Sequence, residues 1–227
     1  MIKENYHHGN LKEELLKLTF KYISKNDIHT LTLKMLAEQT GTSRSSIYRH
    51  FSSKDDLIQE IIKIGFELFD NEVIKTINDK NISLLDRFYL SGKYYITWAI
   101  NNPNLYKLLF GKEYSNIRES IISIKNDECK SFYEFKNIIK KGQRLGIIKK
   151  DDPYKQTIIA WSSIHGLCTL IIDGFMDIHE IYIDLYNDIF QSLLNGLISN
   201  KIKIISSLPF QKKLLLPSSK YNIKQVI

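Results

Sequence analysis

The sequence has little of what marks a secreted, metal-binding or membrane protein. Its 227 residues include two cysteines, Cys129 and Cys168, too few for a disulfide framework and without the C-x-x-C spacing of a metal site. No apolar run approaches the length that spans a bilayer, and the opening MIKENYHHGN lacks the apolar stretch of a signal peptide. We therefore expect a reduced, cytoplasmic protein that uses no metal or cofactor and has no membrane partner.

Motifs for catalysis are missing too. The chain has no G-x-S-x-G nucleophile elbow, no phosphate-binding loop and no H-E-x-x-H zinc motif. The carboxylate pair Asp151 and Asp152 directly precedes Pro153, which is most simply the start of a helix. The sequence therefore predicts a protein that is not an enzyme.

Lysine and arginine outnumber the acidic residues, which gives a formal net charge of +7. Most of this excess lies in residues 201–227, which contain six lysines and no acid, so residues 1–200 carry only +1. The overall charge is therefore no argument for a nucleic-acid partner, whereas a local patch is. Between residues 32 and 54 a single acid, Glu38, accompanies four cations that are suited to phosphate contact, Lys34, Arg44, Arg49 and Lys54.

Apolar residues recur at helical spacing through almost the whole chain, and the four prolines lie at predicted helix boundaries or in the tail. Both features predict an all-α fold. In the first helix, which Asn10 is placed to cap, the predicted buried stripe is Leu11, Leu15, Leu18 and Tyr22. Further helices are predicted after Thr32, over 43–50, from Ser53 to about 76, and over about 83–100, 103–110, 116–144, 153–172 and 178–199.

Two short predicted helices are separated by the tight turn Thr40-Gly41-Thr42. Gly41 stands where a glycine commonly ends a helix, and Ser43 can cap the next one. Ile47 and Phe51 are four residues apart and should anchor this second helix in a three-helix core. Its other positions carry small hydroxyls and cations, which is typical of a helix-turn-helix whose second helix enters a major groove.

The stretch LTLKMLAEQTGTSRSSIYRHFSSKDDLIQEII resembles the DNA-binding domain of the tetracycline-repressor (TetR) family, through Tyr48, His50, Phe51, Lys54 and Leu57. The Thr-Gly-Thr turn is a mild departure from the family pattern. Ser43 to Ser46 are small enough to let the backbone approach base edges, and Arg44 can reach a guanine. The resemblance implies base contacts from Arg44, Ser45 and Ser46, phosphate contacts from Thr32, Tyr48, His50 and Lys54, and either kind from Arg49.

A second resemblance covers the C-terminal part. NNPNLYKLLFG and AWSSIHGLCTL are similar to the Asn/His-Pro-x-Leu-Tyr and Trp-x-x-x-His-Gly segments of one subset of TetR-family effector domains, and YHHGNLKEELL is similar to the opening of the same subset. The resemblance implies a homodimer formed through the last two long helices and a small-molecule cavity between the middle ones.

Aromatic residues between 88 and 165 admit two interpretations. They are either ordinary core, or the lining of a cavity whose tyrosine hydroxyls and histidine bind an effector. His7 and His8 are expected to form a polar arm and not a metal site, and Cys168 is expected in the core. The residues assigned to the effector pocket are Tyr94, Tyr95, Trp98, Tyr106, Phe110, Trp161 and His165.

These observations predict three regions: a helix-turn-helix DNA-binding domain over 1–52, a helical effector-binding and dimerisation domain over 53–200, and a basic tail over 201–227. The predicted function is transcriptional regulation, as a repressor that a small-molecule effector releases from a palindromic, inverted-repeat operator. The alternative is a constitutive DNA-binding protein with no ligand pocket.

Overall fold

A computed structural model of the chain describes residues 11–121, 129–176 and 182–197. Within these ranges the chain consists mainly of α-helices joined by short turns, which confirms the predicted all-α fold class. A 3₁₀ turn, Ile28–Thr30, follows the first helix. The helices are α1 Leu11–Ile23, α2 Leu33–Thr40, α3 Arg44–Tyr48, α4 Lys54–Asn78, α5 Leu84–Asn101, α6 Pro103–Phe110, α7 Ser115–Glu119, α8 Lys130–Arg144, α9 Pro153–Ile172 and α10 Tyr182–Leu197.

Most predicted helix starts are confirmed by their caps. Thr32 Oγ1 accepts a hydrogen bond from Met35 N (3.2 Å) at the start of α2. Asp152 Oδ1 accepts one from Tyr154 N (2.8 Å) at the start of α9, so this carboxylate pair does mark a helix start. The predicted cap at Asn10, the pair His7 and His8, and the tail 201–227 lie outside the described residues.

The prediction of one helix over 116–144 is wrong. α7 ends at Glu119, and α8 begins only after Cys129. A residue of the short α7 caps the C-terminal end of α6: Arg118 Nη1 donates hydrogen bonds to the carbonyl oxygens of Leu109 (3.1 Å) and Gly111 (2.7 Å). These carbonyls belong to the end of a helix, where they lack intrahelical partners.

The contacts divide the chain into two compact units, of which the first comprises residues 11–68 and 102–121 among those described. It contains α1 to α3, the first part of α4, and α6 with α7. The predicted stripe of α1 is only partly correct, since Leu11, Leu18 and Tyr22 are half-buried. The buried face includes Thr19, whose hydroxyl is satisfied by Leu15 O (2.8 Å), and consists of Leu15, Leu16, Thr19, Phe20 and Ile23.

The second unit comprises residues 69–101, 129–176 and 182–197. α9 packs against α5, α8 and α10. α5 approaches its neighbours closely at Gly92, where an added Cβ would lie 2.7 Å from Tyr186 Oη and 2.8 Å from Ile164 Cδ1, so a larger residue would displace these side chains. Asp70 of α4 is buried and accepts a hydrogen bond from Ser131 N (3.2 Å), so it caps α8 from another helix; its burial raises the pKa of this carboxyl group.

None of the helices in the described ranges is long and apolar enough to cross a membrane. Among the same residues, no group of three or more histidine, cysteine, aspartate or glutamate side chains is arranged to hold a metal ion. Cys168 is fully buried in α9, as expected for a core residue.

Candidate nucleic-acid interface

The turn before α3 has the geometry that the sequence predicts. Gly41 adopts a left-handed conformation (φ 64°), which a residue with a side chain rarely accepts. Thr42 N donates to Ala37 O (3.1 Å), and the Thr40 hydroxyl bonds both Leu36 O (2.8 Å) and the Thr42 hydroxyl (2.8 Å). The turn thus satisfies its own polar groups, so the angle between α2 and α3 is fixed locally.

Ser43 organises the beginning of α3. Its Oγ accepts a hydrogen bond from Ser46 N (3.2 Å) and lies 2.8 Å from Ser45 Oγ and 2.9 Å from Ser46 Oγ. The three hydroxyls therefore form one connected group at the N-terminus of α3. That end of the helix presents a small polar surface with no bulky side chain other than Arg44.

One side of α3 is buried and the remainder is solvent-exposed. Ile47 and Phe51 are 0% and 3% exposed, and α3 packs against α2 in the first unit. Tyr48, by contrast, is 54% exposed despite its large ring. Apart from Ser46 and Lys54, which are half-buried, the other residues predicted to contact DNA are also exposed: Thr32, Ser43, Arg44, Ser45, Arg49 and His50.

The charges around this surface are cationic, but fewer are available than the sequence suggests. Lys34 Nζ lies 3.7 Å from Glu38 Oε1, so these two charges pair with each other. Within the described ranges, Arg44 and Arg49 form no ion pair.

Asp56, near the start of α4, accepts hydrogen bonds from the side chain (2.5 Å) and backbone (3.0 Å) of Ser52, which lower the pKa of its carboxyl group.

Lys54 has an intramolecular partner that the sequence did not predict. Its ammonium donates a hydrogen bond to the backbone oxygen of His29 (2.8 Å) in the 3₁₀ turn. Burial lowers the pKa of Lys54, while the charges of Asp27, Asp55 and Glu113 oppose that shift. The His29 ring in turn pairs with Glu113. No local pattern signals these contacts, because they join residues more than twenty positions apart in the sequence.

The residues assigned to the effector pocket fall into separate groups. In the second unit, Tyr95 Oη accepts a hydrogen bond from Trp161 Nε1 (3.2 Å) and lies 3.1 Å from His165 Nδ1. Phe69 joins Trp98 to this group, with ring centroids 5.1 Å from Tyr95 and 5.0 Å from Trp98. We name Tyr95, Trp98, Trp161 and His165 the aromatic group of the second unit.

The other three predicted pocket residues are placed differently. Tyr106 and Phe110 lie in the first unit, where their ring centroids are 4.9 Å apart and Phe110 contacts Phe66 edge-on (5.5 Å). Tyr94 belongs to the second unit, and burial together with the charge of Glu72 raises the pKa of its hydroxyl.

Two family models match the chain. Residues 15–61 match "Bacterial regulatory proteins, tetR family", and residues 90–197 match "Tetracyclin repressor-like, C-terminal domain". Together the two ranges account for more than half of the chain. The first contains α2, α3 and most of α1, and the second runs from α5 to the end of α10.

Among named relatives, the HTH-type transcriptional regulator QacR of Staphylococcus aureus is 26% identical over 196 residues, covering 83% of this chain and 98% of that protein. The nucleoid occlusion factor SlmA of Vibrio cholerae is 29% identical over 106 residues. That match covers 45% of this chain and 52% of SlmA, so the chain spans about half the length of this relative.

Solved structures share the fold. A protein of unknown function from Rhodococcus sp. RHA1 is 20% identical with a TM-score of 0.71, covering 87% of this chain and all of that one (100%). The transcriptional regulator FadR of Bacillus subtilis, solved in complex with stearoyl-CoA, is 18% identical with a TM-score of 0.64, covering 82% of this chain and 98% of its own. At these identities the likeness establishes the fold alone.

The Ser43 cap provides a test of how α3 is held. We expect Ser43→Ala to destabilise the protein by about 1 kcal/mol, because it removes the N-cap of a very short helix. Ser45→Ala is the matched control, since it removes a serine hydroxyl from the same group and keeps the cap. Urea denaturation of both variants measures the difference. Equal stability of the two variants would contradict a role for Ser43 in holding the helix.

Proposed function

This chain belongs to the tetR family of bacterial regulatory proteins, and we propose that it is a homodimeric repressor that an effector releases from DNA. DNA-binding transcriptional regulation is the activity of this family. The homodimer, the inverted-repeat operator, the repression and the release by a small molecule are the proposal. The cytoplasm is the proposed location, because the DNA is there.

The observation that carries the proposal is the exposed surface of α3. Its anchors Ile47 and Phe51 are buried. Ser43, Arg44, Ser45, Arg49 and His50 are exposed, Ser46 is half-buried, and no carboxylate lies among these residues. A surface of this composition can approach the base edges of a major groove closely. We propose that Arg44, Ser45 and Ser46 contact bases and that Ser43 lets the backbone approach them.

The remaining predicted residues are assigned to the DNA backbone. Thr32 at the start of α2 and Lys54 at the start of α4 lie at helix N-termini, which attract phosphate. The proposed phosphate contacts are Thr32, Tyr48, His50 and Lys54, and Arg49 serves either a base or a phosphate. In a two-fold dimer, two such surfaces would read half-sites about 34 Å apart, one turn of the duplex.

Arg44 tests whether the surface reads sequence. Arg44→Lys keeps the positive charge and loses the planar guanidinium that binds guanine through two hydrogen bonds. We expect it to weaken binding to the operator by about tenfold or more while leaving binding to mixed-sequence duplex nearly unchanged. The operator is first located by footprinting the DNA that flanks the gene, at a stated salt concentration.

The outcomes distinguish a base contact of Arg44 from a phosphate contact or from no contact. Equal losses on operator and mixed-sequence DNA would assign Arg44 to phosphate and not to bases. A normal operator affinity of Arg44→Lys would remove Arg44 from the specific contacts altogether.

The dimer surface is proposed on α9. Ile159 and Leu170 are 44% and 45% exposed on this helix. Ser162 and Gly166 lie between them at helical spacing, and no atom stands within 4 Å of a Cβ added at Gly166. Small residues between two apolar ones allow a second helix to approach closely, which suits the surface to a second copy of the chain.

Paired charges on this face should separate the dimer. We expect the double variant Ile159→Glu and Leu170→Glu to sediment as a monomer and to bind an inverted repeat no better than a single half-site, because like charges would face each other at a two-fold interface. Tyr133→Glu on α8, at an exposed aromatic residue of the same unit, is the matched control and should remain dimeric. A double variant that stays dimeric would place the interface elsewhere.

The effector site is proposed at the aromatic group of the second unit. Its hydroxyl, imidazole and indole nitrogen are polar groups in apolar surroundings, as in many sites for small organic ligands. We propose Tyr95, Trp98, Trp161 and His165 as the effector contacts, with Tyr94 of the same unit as a further one. The sequence groups Tyr106 and Phe110 with them, and ligand-induced stabilisation of variants at these two positions would test that assignment.

Thermal-shift measurements with a panel of compounds test this site. The panel contains apolar and cationic drug-like compounds and, because FadR was solved with stearoyl-CoA, acyl-CoA thioesters. A ligand that binds the native state raises the melting temperature, and we expect Tyr95→Phe to reduce that shift because Trp161 and His165 lose their shared partner. His165→Ala is the companion variant. If no compound shifts the native protein or alters its DNA affinity, the alternative of a constitutive DNA-binding protein is favoured.

Release requires a link between the two activities. α4 is one helix whose residues 54–68 lie in the first unit and 69–78 in the second. We propose that a ligand-dependent shift along α4 changes the separation of the two DNA-binding surfaces in the dimer. The effector must then bind the non-operator state more tightly, because a ligand of equal affinity for both states shifts nothing.

A further inference from the structure

The segment α6–α7 belongs to the C-terminal family model by sequence and to the DNA-binding unit by packing. The family model covers residues 90–197, whereas residues 102–121 form one compact unit with residues 11–68. Two contacts join α6 to the rest of this unit. Asn104 Nδ2 donates a hydrogen bond to Ile23 O at the end of α1 (3.0 Å). α6 also packs closely against Gly65 of α4, where an added Cβ would lie 2.9 Å from Leu109.

A third contact is polar and centres on His29. Its Nε2 pairs with Glu113 Oε2, its ring stacks on Tyr114 with centroids 5.5 Å apart and planes inclined by 26°, and its Nδ1 lies 3.4 Å from Tyr114 Oη. Burial and the charge of Glu113 raise the pKa of Tyr114 to about 12. The carboxylate of Glu113 accepts from the Nε2–H of His29.

The backbone of the same residue faces Lys54. His29 N donates to Asp27 Oδ1 (2.9 Å), which fixes the 3₁₀ turn, and His29 O accepts the hydrogen bond from Lys54 Nζ (2.8 Å). The ring of His29 therefore contacts the turn before α7, and its carbonyl oxygen accepts from the ammonium at the start of α4.

This hydrogen bond restricts the side chain of Lys54 but occupies only one of its donors. An ammonium has three N–H groups, and the bond to His29 O directs one of them, which leaves two for a phosphate. A lysine held in this way loses less side-chain freedom when it binds, so its contact is more favourable than that of an untethered lysine.

We infer that His29 is a positioning residue for Lys54, and that α6–α7 controls this phosphate contact through Glu113 and Tyr114. The inference rests on the proposed function in one respect, that Lys54 contacts phosphate. It adds a second route by which the C-terminal region acts on DNA binding, beside the proposed shift along α4. His29 and Glu113 are about half exposed (44% and 56%), and exposed pairs add little to stability, so the consequence of their contact is the placement of the 3₁₀ turn.

A double-mutant cycle on the full-length protein tests the inference. The probe is a mixed-sequence duplex of about 30 base pairs, to which phosphate contacts alone contribute, titrated at several salt concentrations. We expect Lys54→Ala to weaken binding and to lower the salt slope by about one per protomer. His29→Ala and Glu113→Ala should each weaken binding about threefold in the native background. In the Lys54→Ala background His29→Ala should have no effect, and Glu113→Ala should show only the small gain in affinity that the loss of an exposed acid brings.

Two further variants separate positioning from general effects. Glu113→Gln keeps an oxygen that accepts from His29 Nε2, so it should bind at least as tightly as the native protein, whereas Glu113→Ala should not. Glu119→Ala removes an exposed acid from α7, the helix that follows Glu113, and measures the gain expected from reduced repulsion of the duplex. Melting temperatures of all variants establish that each one folds.

The possible results are distinct. If His29→Ala and Glu113→Ala cause the same loss with and without Lys54, His29 does not act through Lys54 and the inference is overturned while the proposed function stands. If Lys54→Ala leaves the affinity and the salt slope unchanged, Lys54 is not a phosphate contact, and both that assignment and the inference fall. Failure of the native protein to bind the duplex at low salt would overturn the proposed function itself.

Discussion

The burial of Ile47 is the interaction on which the proposed DNA-binding surface depends. α3 has five residues, and helices shorter than about 12 residues are marginal in water. It is helical because Ile47 is fully buried, Ser43 caps its first turn, and Gly41 sets its direction relative to α2. Only a few positions meet these requirements, so most of the other side chains of α3 are exposed and available for the proposed DNA contacts.

The features that were predictable from sequence are those that residues three to five apart determine. The caps Thr32 and Ser43, the turn at Gly41 and the burial of Ile47 each depend on neighbours along the chain, and the structure has them as predicted. Contacts between distant residues left no such pattern. His29 and Glu113 meet because α6–α7 packs beside α1 and α4, and no spacing rule links positions 84 apart.

The aromatic residues raise a question that the sequence could not answer. Composition and the family resemblance together placed seven aromatic and histidine side chains in one predicted site, and that assignment stays a prediction. In the structure Tyr106 and Phe110 of α6 belong to the first unit, whereas Tyr95 and Trp161 share a hydrogen bond in the second. Helical periodicity identifies which residues are buried, but not which of several buried faces meet. The break between α7 and α8 escaped prediction for a related reason, because Arg118 satisfies carbonyls of α6, a neighbour in space.

The free energies of the two proposed links, the shift along α4 and the contact between His29 and Glu113, determine how far each can change DNA affinity. Moving a protein from almost fully bound to almost fully free requires a differential free energy of about 5.5 kcal/mol. An exposed ion pair supplies about 0–1 kcal/mol, and even two copies in a dimer fall short of that requirement. The contact between His29 and Glu113 can therefore adjust operator affinity but cannot switch it. In the proposed dimer, by contrast, a change of geometry would misplace all the contacts of one half-site together. The proposed release is therefore assigned to the relation between the two protomers, and the proposed role of the 3₁₀ turn is to set how tightly each protomer holds the duplex.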